Sequence, residues 1–396
     1  METLAAFERD PYLTTLGAEV LRVGRDGQGD FAVLDDTVLY PEGGGQPADH
    51  GFLDGVAVVT VQKREGEVRH YLAAAVAPGP VQVRLEWPRR FDHMQQHTGQ
   101  HLLTAVAQDR FGWETTAFHL GAEVADVELA TAQVTAADLE GLEEAIAAEI
   151  RAGHLVTCRR VAPEALGGLK VRSRGLPEGF QGAVRLVEIA GVDLNTCGGT
   201  HLRSTGELEC LKLLGTEAIR GGTRLFFVAG ARARRRLGAH ERRNAELRGL
   251  LGAPDPDLPA ALGTKLEQLR GLERRVRSLE EEVAQGAAAA LARVPGPFVT
   301  QAFEDQDSGF LQRTARLLAA AAPDKTAFLT ATREGQACFV LVAGDAAPVD
   351  LAGLGREVAA LLQARGGGSG RLFQGKGGSA EDRLRAIAHL RAALGG

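Results

Sequence analysis

Val81-Gln82-Val83-Arg84-Leu85 alternates apolar and polar residues, the spacing of a strand with one buried face. Shorter apolar runs at Phe31–Leu34 and Val56–Val61 are separated by glycine and proline turns. Together they predict a β-rich, barrel-like domain over residues 1–90. From Arg89 the spacing becomes helical. Leu102, Leu103, Val106, Ala107 and Phe111 fall on one face of a helix predicted to end near Phe111. Residues 91–230 then mix strands (Glu123–Leu129, Ala183–Ile189, Thr223–Val228) with a helix over Ala136–Ala152, an α+β pattern.

Residues 231–294 predict two helices broken at Ala253–Pro259, because Pro254, Pro256 and Pro259 cannot occupy a helix interior. The second helix carries Leu262, Leu266, Leu269, Leu272, Val276, Leu279 and Val283 at steps of three and four, a helical hairpin or short coiled coil. Val294-Pro-Gly-Pro297 reads as a linker. Residues 295–396 predict a C-terminal α/β domain with strands at Ala327–Thr332 and Ala337–Val342 and helices at Leu351–Ala364 and Glu381–Leu394. Between those helices, RGGGSGRLFQGKGG (Arg365–Gly378) is too rich in glycine for a regular element. The overall expectation is an α+β chain of four parts.

The chain has 396 residues, 44% of them hydrophobic, enough for two to four cores. A net charge of −6 excludes indiscriminate nucleic-acid binding over the whole surface but allows local basic patches. Four scattered cysteines do not make a secreted disulfide framework. The start, METLAAFERDPYL, lacks a basic segment followed by an apolar one, and no apolar run approaches the roughly 20 residues of a membrane helix. A soluble cytoplasmic protein without a membrane partner is expected.

His97 and His101, in Gln95–Leu103, stand four residues apart, so a helix stacks them on one face. The helical zinc motif H-E-x-x-H needs a glutamate base where this chain has Thr98, which removes the metalloprotease reading. Two histidines alone are weak. Cys197 and His201, in NTCGGTHL, are again four apart, spanned by Gly198 and Gly199, which suit a tight loop. Three histidines and one cysteine make a tetrahedral zinc set. His93 flanks it, and Cys158, Cys210 and Cys338 read as packing residues.

Five stretches give the chain a resemblance: YPEGGGQPADHG (Tyr40–Gly51), MQQHTGQHLL (Met94–Leu103), NTCGGTHL (Asn195–Leu202), IRGGTRLFFVAG (Ile219–Gly230) and, more loosely, GRLFQGKGG (Gly370–Gly378). In this order they resemble the long form of the AlaX alanyl-tRNA editing proteins, which are similar to the editing and C-terminal parts of alanyl-tRNA synthetase. The resemblance implies a deacylase that removes serine and glycine from tRNA(Ala) and spares alanine, with one zinc ion. It implies that the C-terminal domain contacts the outer corner of tRNA and that the helical region forms a homodimer. It places Thr37 where the family has a threonine implicated in serine recognition, and Leu39 where the family often has phenylalanine.

Gly43, Gly44, Gly45 and Gln46 form either a surface turn or, on the resemblance, a wall against the tRNA end; Gln46 and Gln96 are polar candidates for touching substrate. Arg220 and Arg224, the run Arg232, Arg234, Arg235 and Arg236, and Arg365, Arg371 and Lys376 are candidate phosphate contacts, against the alternative of a solvated face. Four protein ligands close a zinc site, whereas catalytic zinc keeps a position open. Either His201 is displaced or the ion organises the pocket. Two other functions compete: a zinc hydrolase of small esters or amides, and a non-enzymatic RNA-binding protein with structural zinc.

Overall fold

The computed structural model describes residues 4–172, 182–377 and 380–394. The chain parts into two compact units, residues 1–246 and 247–396.

The first unit begins with a short helix α1 (Ala6–Arg9). Strands β1 (Thr15–Asp26), β2 (Gly29–Leu34), β3 (Gly51–Leu53), β4 (Val56–Arg64), β5 (Glu67–Leu72) and β6 (Gly79–Leu85) follow. They close into a barrel in the order β1-β2-β5-β4-β3-β6. The period-two pattern does what it predicts: Val81, Val83 and Leu85 are buried with Val20, Leu53, Val58 and Val61, while Gln82 and Arg84 face out.

Helix α2 (Trp87–Phe111) leaves the barrel through Pro88 in its first turn and stops at Gly112, whose φ of 70° caps it in the left-handed region. It is buried along most of its length, so its polar residues all need partners. Around it lie β7 (Thr115–Leu120), β8 (Ala125–Leu129), α3 (Ala136–Ala152), β9 (Val156–Val161), β10 (Val184–Ile189), β11 (Asp193–Thr196), β12 (Leu211–Ile219) and β13 (Gly222–Ala229). These strands form a sheet ordered β12-β13-β8-β7 and another ordered β11-β10-β9. Thr135 and Asp138 make a capping box at the start of α3. Leu142, Ile146 and Ile150 of α3 share one core with Leu103 and Val106 of α2 and with Leu225 and Phe227 of β13.

A buried ion pair fixes α2 to the barrel. Arg90, fully buried, donates from Nε to Asp49 Oδ2 at 2.9 Å, forms a second bond to the same oxygen, and caps the carbonyls of Val38 and Pro11. Helix α4 (Ala231–Leu251) follows β13.

In the second unit, α5 (Leu258–Arg293) starts with Pro259 in its first turn, where the missing N–H costs nothing. The proline-rich segment therefore ends one helix and begins the next. Then come β14 (Phe298–Glu304), α6 (Ser308–Ala321), β15 (Thr326–Arg333), β16 (Gln336–Ala343), α7 (Leu351–Leu361), β17 (Arg365–Ser369), β18 (Leu372–Lys376) and α8 (Ala380–Leu394). The sheet order is β14-β15-β16-β18-β17, with β14 and β15 parallel and the other pairs antiparallel. Ala327, Leu329 and Ala331 face α5 and α6, while Phe328 faces α7 and α8, so both sides of β15 are buried.

The glycine-rich stretch corrects one expectation. Arg365–Ser369 and Leu372–Lys376 pair as a hairpin. At Gly366 a Cβ would meet Gln374 O at 2.6 Å, so glycine here permits close approach of two strands rather than marking a loop. Gly378 lies outside the described residues.

Candidate metal centre

His97 and His101 project from one face of α2, as their spacing predicts. Cys197 follows β11, and His201 lies four residues on. The donor atoms of all four residues lie within 4.8 Å of one another. Cys197 Sγ is 3.3 Å from His97 Nε2 and 3.3 Å from His201 Nε2. A tetrahedral site with bonds of about 2.0–2.3 Å sets its donors roughly 3.3–3.8 Å apart; the two sulfur–nitrogen distances meet this, and the four donors together are close enough that they could hold one ion.

Each histidine is held through its other nitrogen. His97 Nδ1 donates to Gln46 Oε1 at 2.8 Å, which also accepts from Thr200 N at 3.0 Å; Gln46 Nε2 donates to Thr200 Oγ1 at 2.9 Å. His101 Nδ1 donates to Asp193 Oδ2 at 3.0 Å, and Arg172 Nε holds the other oxygen of that carboxylate at 3.0 Å. His201 Nδ1 faces Thr98 Oγ1 at 3.3 Å, and Leu202 N donates to the same hydroxyl at 3.1 Å. All three rings therefore present Nε2 to the centre, the arrangement that orients metal-bound imidazoles.

The loop is fixed as firmly. Arg185 Nη1 donates to the carbonyls of Cys197 and Gly199, each at 2.8 Å. A Cβ on Gly199 would run into the His97 ring and come within 2.8 Å of Gln46 Oε1. Gly199 of NTCGGTHL therefore makes room for a ligand ring.

Electrostatics favour a cation. Burial pushes the Cys197 thiol up, but His97, His201 and His101 outweigh it and hold it well below its ordinary value. Burial lowers His101, yet Asp193 and Cys197 raise it to about 10. Burial takes His201 down to about 3. A thiolate among imidazoles is a soft and borderline donor set suited to zinc rather than to magnesium or calcium.

The centre opens on a cavity of about 480 Å³ whose lining includes Gly44, His97, Gln100, His101, Thr104, Glu114, Thr115, Phe118, Arg172 and Cys197. Gly43 and Gln46 bond to each other's backbone across Gly44 and Gly45, which both have positive φ, so GGGQ is at once a tight turn and, through Gly44, a cavity wall.

The other candidates fall elsewhere. Thr37 is buried in the barrel: its hydroxyl donates to His70 Nε2 at 2.8 Å and accepts from Leu39 N at 3.0 Å. Gln96 locks α2 to the end of β13 through Ala229 O at 3.0 Å and Ala229 N at 2.8 Å. Neither lines the cavity. Arg224 is held by Glu128, Asp126 and Glu217, and Arg371 by the carbonyls of Gly344, Ala347 and Val349. Arg232 is buried on Asp92, and Arg234 pairs with Glu209. Arg220 and Lys376 are exposed. His93 is buried with Nδ1 unpaired and lies outside the cluster. Sequence spacing did not point to Asp193, Thr98, Arg172 or Arg185; they act through the ligands' outer nitrogens and carbonyls, which leave no mark on ligand spacing.

Fold and site together define a protein with a largely buried three-histidine, one-cysteine centre that could hold a metal ion beside a cavity. Residues 184–226 match the family model described as the threonyl and alanyl tRNA synthetase second additional domain. The alanyl-tRNA editing protein Aarsd1 of Danio rerio is 36% identical over 362 residues, 90% of this chain and 87% of that protein. The protein of the same name from Mus musculus is 36% identical over 366 residues, 91% and 88% of the two chains. The alanine–tRNA ligase of Methanopyrus kandleri is 30% identical over 407 residues, 97% of this chain but 44% of the ligase. The C-Ala domain of Aquifex aeolicus alanyl-tRNA synthetase covers 25% of this chain at 24% identity and a TM-score of 0.24, too low to carry an argument. The chain belongs to the alanyl-tRNA editing proteins. Among the described residues no helix is long and apolar enough to cross a membrane.

Proposed function

We propose that this chain is a zinc-dependent deacylase that hydrolyses seryl- and glycyl-tRNA(Ala) and spares alanyl-tRNA(Ala). The observation that carries the reading is the convergence of His97, His101, Cys197 and His201 beside a cavity that the first three line, in a chain that aligns over most of its length with alanyl-tRNA editing proteins.

The scissile bond is an ester between an amino acid and a ribose hydroxyl. Such a bond is already activated, so a positioned water and stabilisation of the developing oxyanion suffice. His97, His101, Cys197 and His201 would hold the zinc ion, which when bound would supply a Lewis acid for the ester carbonyl. The chain's own residues supply position. Gln46, Asp193 and Thr98 orient the three imidazoles, Arg185 holds the loop, and Gly44 leaves room for the ribose. His201 has the longest outer bond, 3.3 Å to a neutral hydroxyl, and is the donor best placed to yield.

Arg220 and Lys376 are the phosphate contacts of this reading, since Arg224 and Arg371 are engaged within the protein. The exposed stripe of α5, with Leu262, Leu266, Leu269, Leu272, Val276, Leu279 and Val283 each between 42% and 64% exposed, supports a homodimer. The four-donor set equally suits a structural zinc in a protein that binds RNA without cleaving it. Deacylation separates the two readings. Purified protein given tRNA(Ala) charged with serine, glycine or alanine should release the first two and leave the third. Tight binding with no release of any would establish the binding protein instead.

A further inference from the structure

The cavity contains one polar group with an unmet need. Gln100, 5% exposed, sits on α2 beside His101. Its Nε2 donates to Thr104 Oγ1 at 2.9 Å, and the same hydroxyl oxygen accepts from Thr115 at 3.2 Å. Its Oε1 is buried and has no hydrogen-bond partner. Leaving a buried acceptor unpaired costs about 1–3 kcal/mol. All three residues line the metal-centre cavity; Oε1 itself is enclosed, so a turn of the side chain has to bring it to an incoming ligand.

We propose that Gln100 is the residue that tells serine from alanine, by accepting a hydrogen bond from the serine hydroxyl. This rests on the deacylase reading above and names its specificity group. Three groups of a seryl ester can donate to Oε1: the α-amino group, the free ribose hydroxyl and the serine hydroxyl, and only the last differs between serine and alanine. Burying a cation costs far more than burying a neutral hydroxyl. Gln100 is neutral and deeply buried, whereas Glu114, lining the same cavity, is exposed and makes no ion pair among the described residues. The ammonium goes to Glu114 and the hydroxyl to Gln100.

The same acceptor accounts for all three amino acids. Serine pairs Oε1 with its own hydroxyl. Glycine lacks a Cβ and leaves space for a water to do so, a water needing roughly 30 Å³. The methyl of alanine fills that space and donates nothing, so Oε1 stays unpaired. A site built to bond a hydroxyl discriminates strongly against the analogue lacking it. Thr37 does not take this role, because its hydroxyl already pairs with His70 and Leu39 away from the cavity.

The test uses the full zinc-loaded chain and Gln100→Met, which keeps the volume and removes the acceptor. Gln100→Asn, which withdraws the amide by one methylene, is the second variant. Calorimetry measures affinity for 3′-seryl-, 3′-glycyl- and 3′-alanylamino-3′-deoxyadenosine, whose amide bond resists hydrolysis. Deacylation of the three charged tRNAs is measured in parallel. Metal content and tryptophan fluorescence report integrity. The serine-over-alanine ratio should fall about ten- to a hundredfold in both variants, partly through a gain for alanine, with metal content unchanged. Equal losses for all three analogues would overturn the proposal, as would an unchanged ratio, or a ratio that collapses with Thr37→Val but not with Gln100→Met. If the wild type cleaves none of the three esters, the deacylase reading fails, and the calorimetric preference alone decides the role of Gln100.

Discussion

Gln46, in the loop between β2 and β3, holds His97 of α2 by a 2.8 Å bond from Nδ1 to Oε1. This bond couples the barrel to the metal centre and fixes which nitrogen of His97 points inward. Gln46→Leu should leave the fold intact and lower zinc affinity about 10–100-fold, the usual effect of losing a group that orients a ligand. Competition with a chromophoric chelator measures it. Affinity equal to the wild type would mean Gln46 does not orient His97.

Arg90 and Asp49 form a fully buried pair between barrel and helix. Removing one partner of such a pair costs about 3–5 kcal/mol, because the other charge stays buried and unmatched. Arg90→Met should therefore be strongly destabilising, and adding Asp49→Leu should recover part of the loss. Both tryptophans of the chain, Trp87 and Trp113, lie in the first unit, so their fluorescence during urea unfolding follows that unit alone. Additive losses in the double variant would contradict the coupling.

Much of this was legible in the sequence. Val81–Leu85 announces its strand because one face is buried and the other wet. His97, His101, Cys197 and His201 announce themselves because ligands sharing one ion keep a fixed local spacing. Gln46 and Gln96 were visible as polar residues in motifs, and Thr37 by its place in the resemblance, but neither signal says which way a side chain turns. Gln46 turns to a ligand, Gln96 to a strand end and Thr37 to His70. The partners Asp193 and Thr98 were not legible, since they meet the histidines only after folding. The β17–β18 hairpin was hidden because glycine is read as a breaker, whereas here it allows two strands to approach.

His70 sets an acid limit. It is fully buried; Ala32 O accepts from Nδ1 and Thr37 donates to Nε2, so the ring is neutral. Burial lowers its pKa from 6.5 to about 4. Between these values the unfolded chain binds the proton and the folded chain does not, so stability falls as pH drops. The loss begins near pH 6.5 and reaches about 3 kcal/mol below pH 4. His70→Gln keeps an acceptor for Thr37 without titrating. Its urea midpoint should be flatter between pH 6.5 and 4 than that of the wild type. Parallel curves would refute the assignment.

The apolar stripe of α5 should hold two chains together. Leu269→Glu with Val276→Glu places charges on that stripe, both positions being about half exposed in the single chain. Light scattering should show a dimer in the wild type and a monomer in the variant. A wild-type monomer at micromolar concentration would remove the homodimer from this account.

The central claim is that four side chains hold one zinc ion on which deacylation depends. Elemental analysis and X-ray absorption of the purified chain, paired with seryl-tRNA(Ala) hydrolysis before and after chelation and for Cys197→Ala, test it together. One zinc per chain with three nitrogens and one sulfur is expected, with metal and hydrolysis lost in step and activity returning when zinc is restored to the chelated protein. Full hydrolysis by a chain shown to be free of metal, or an ion bound by other residues, would contradict it.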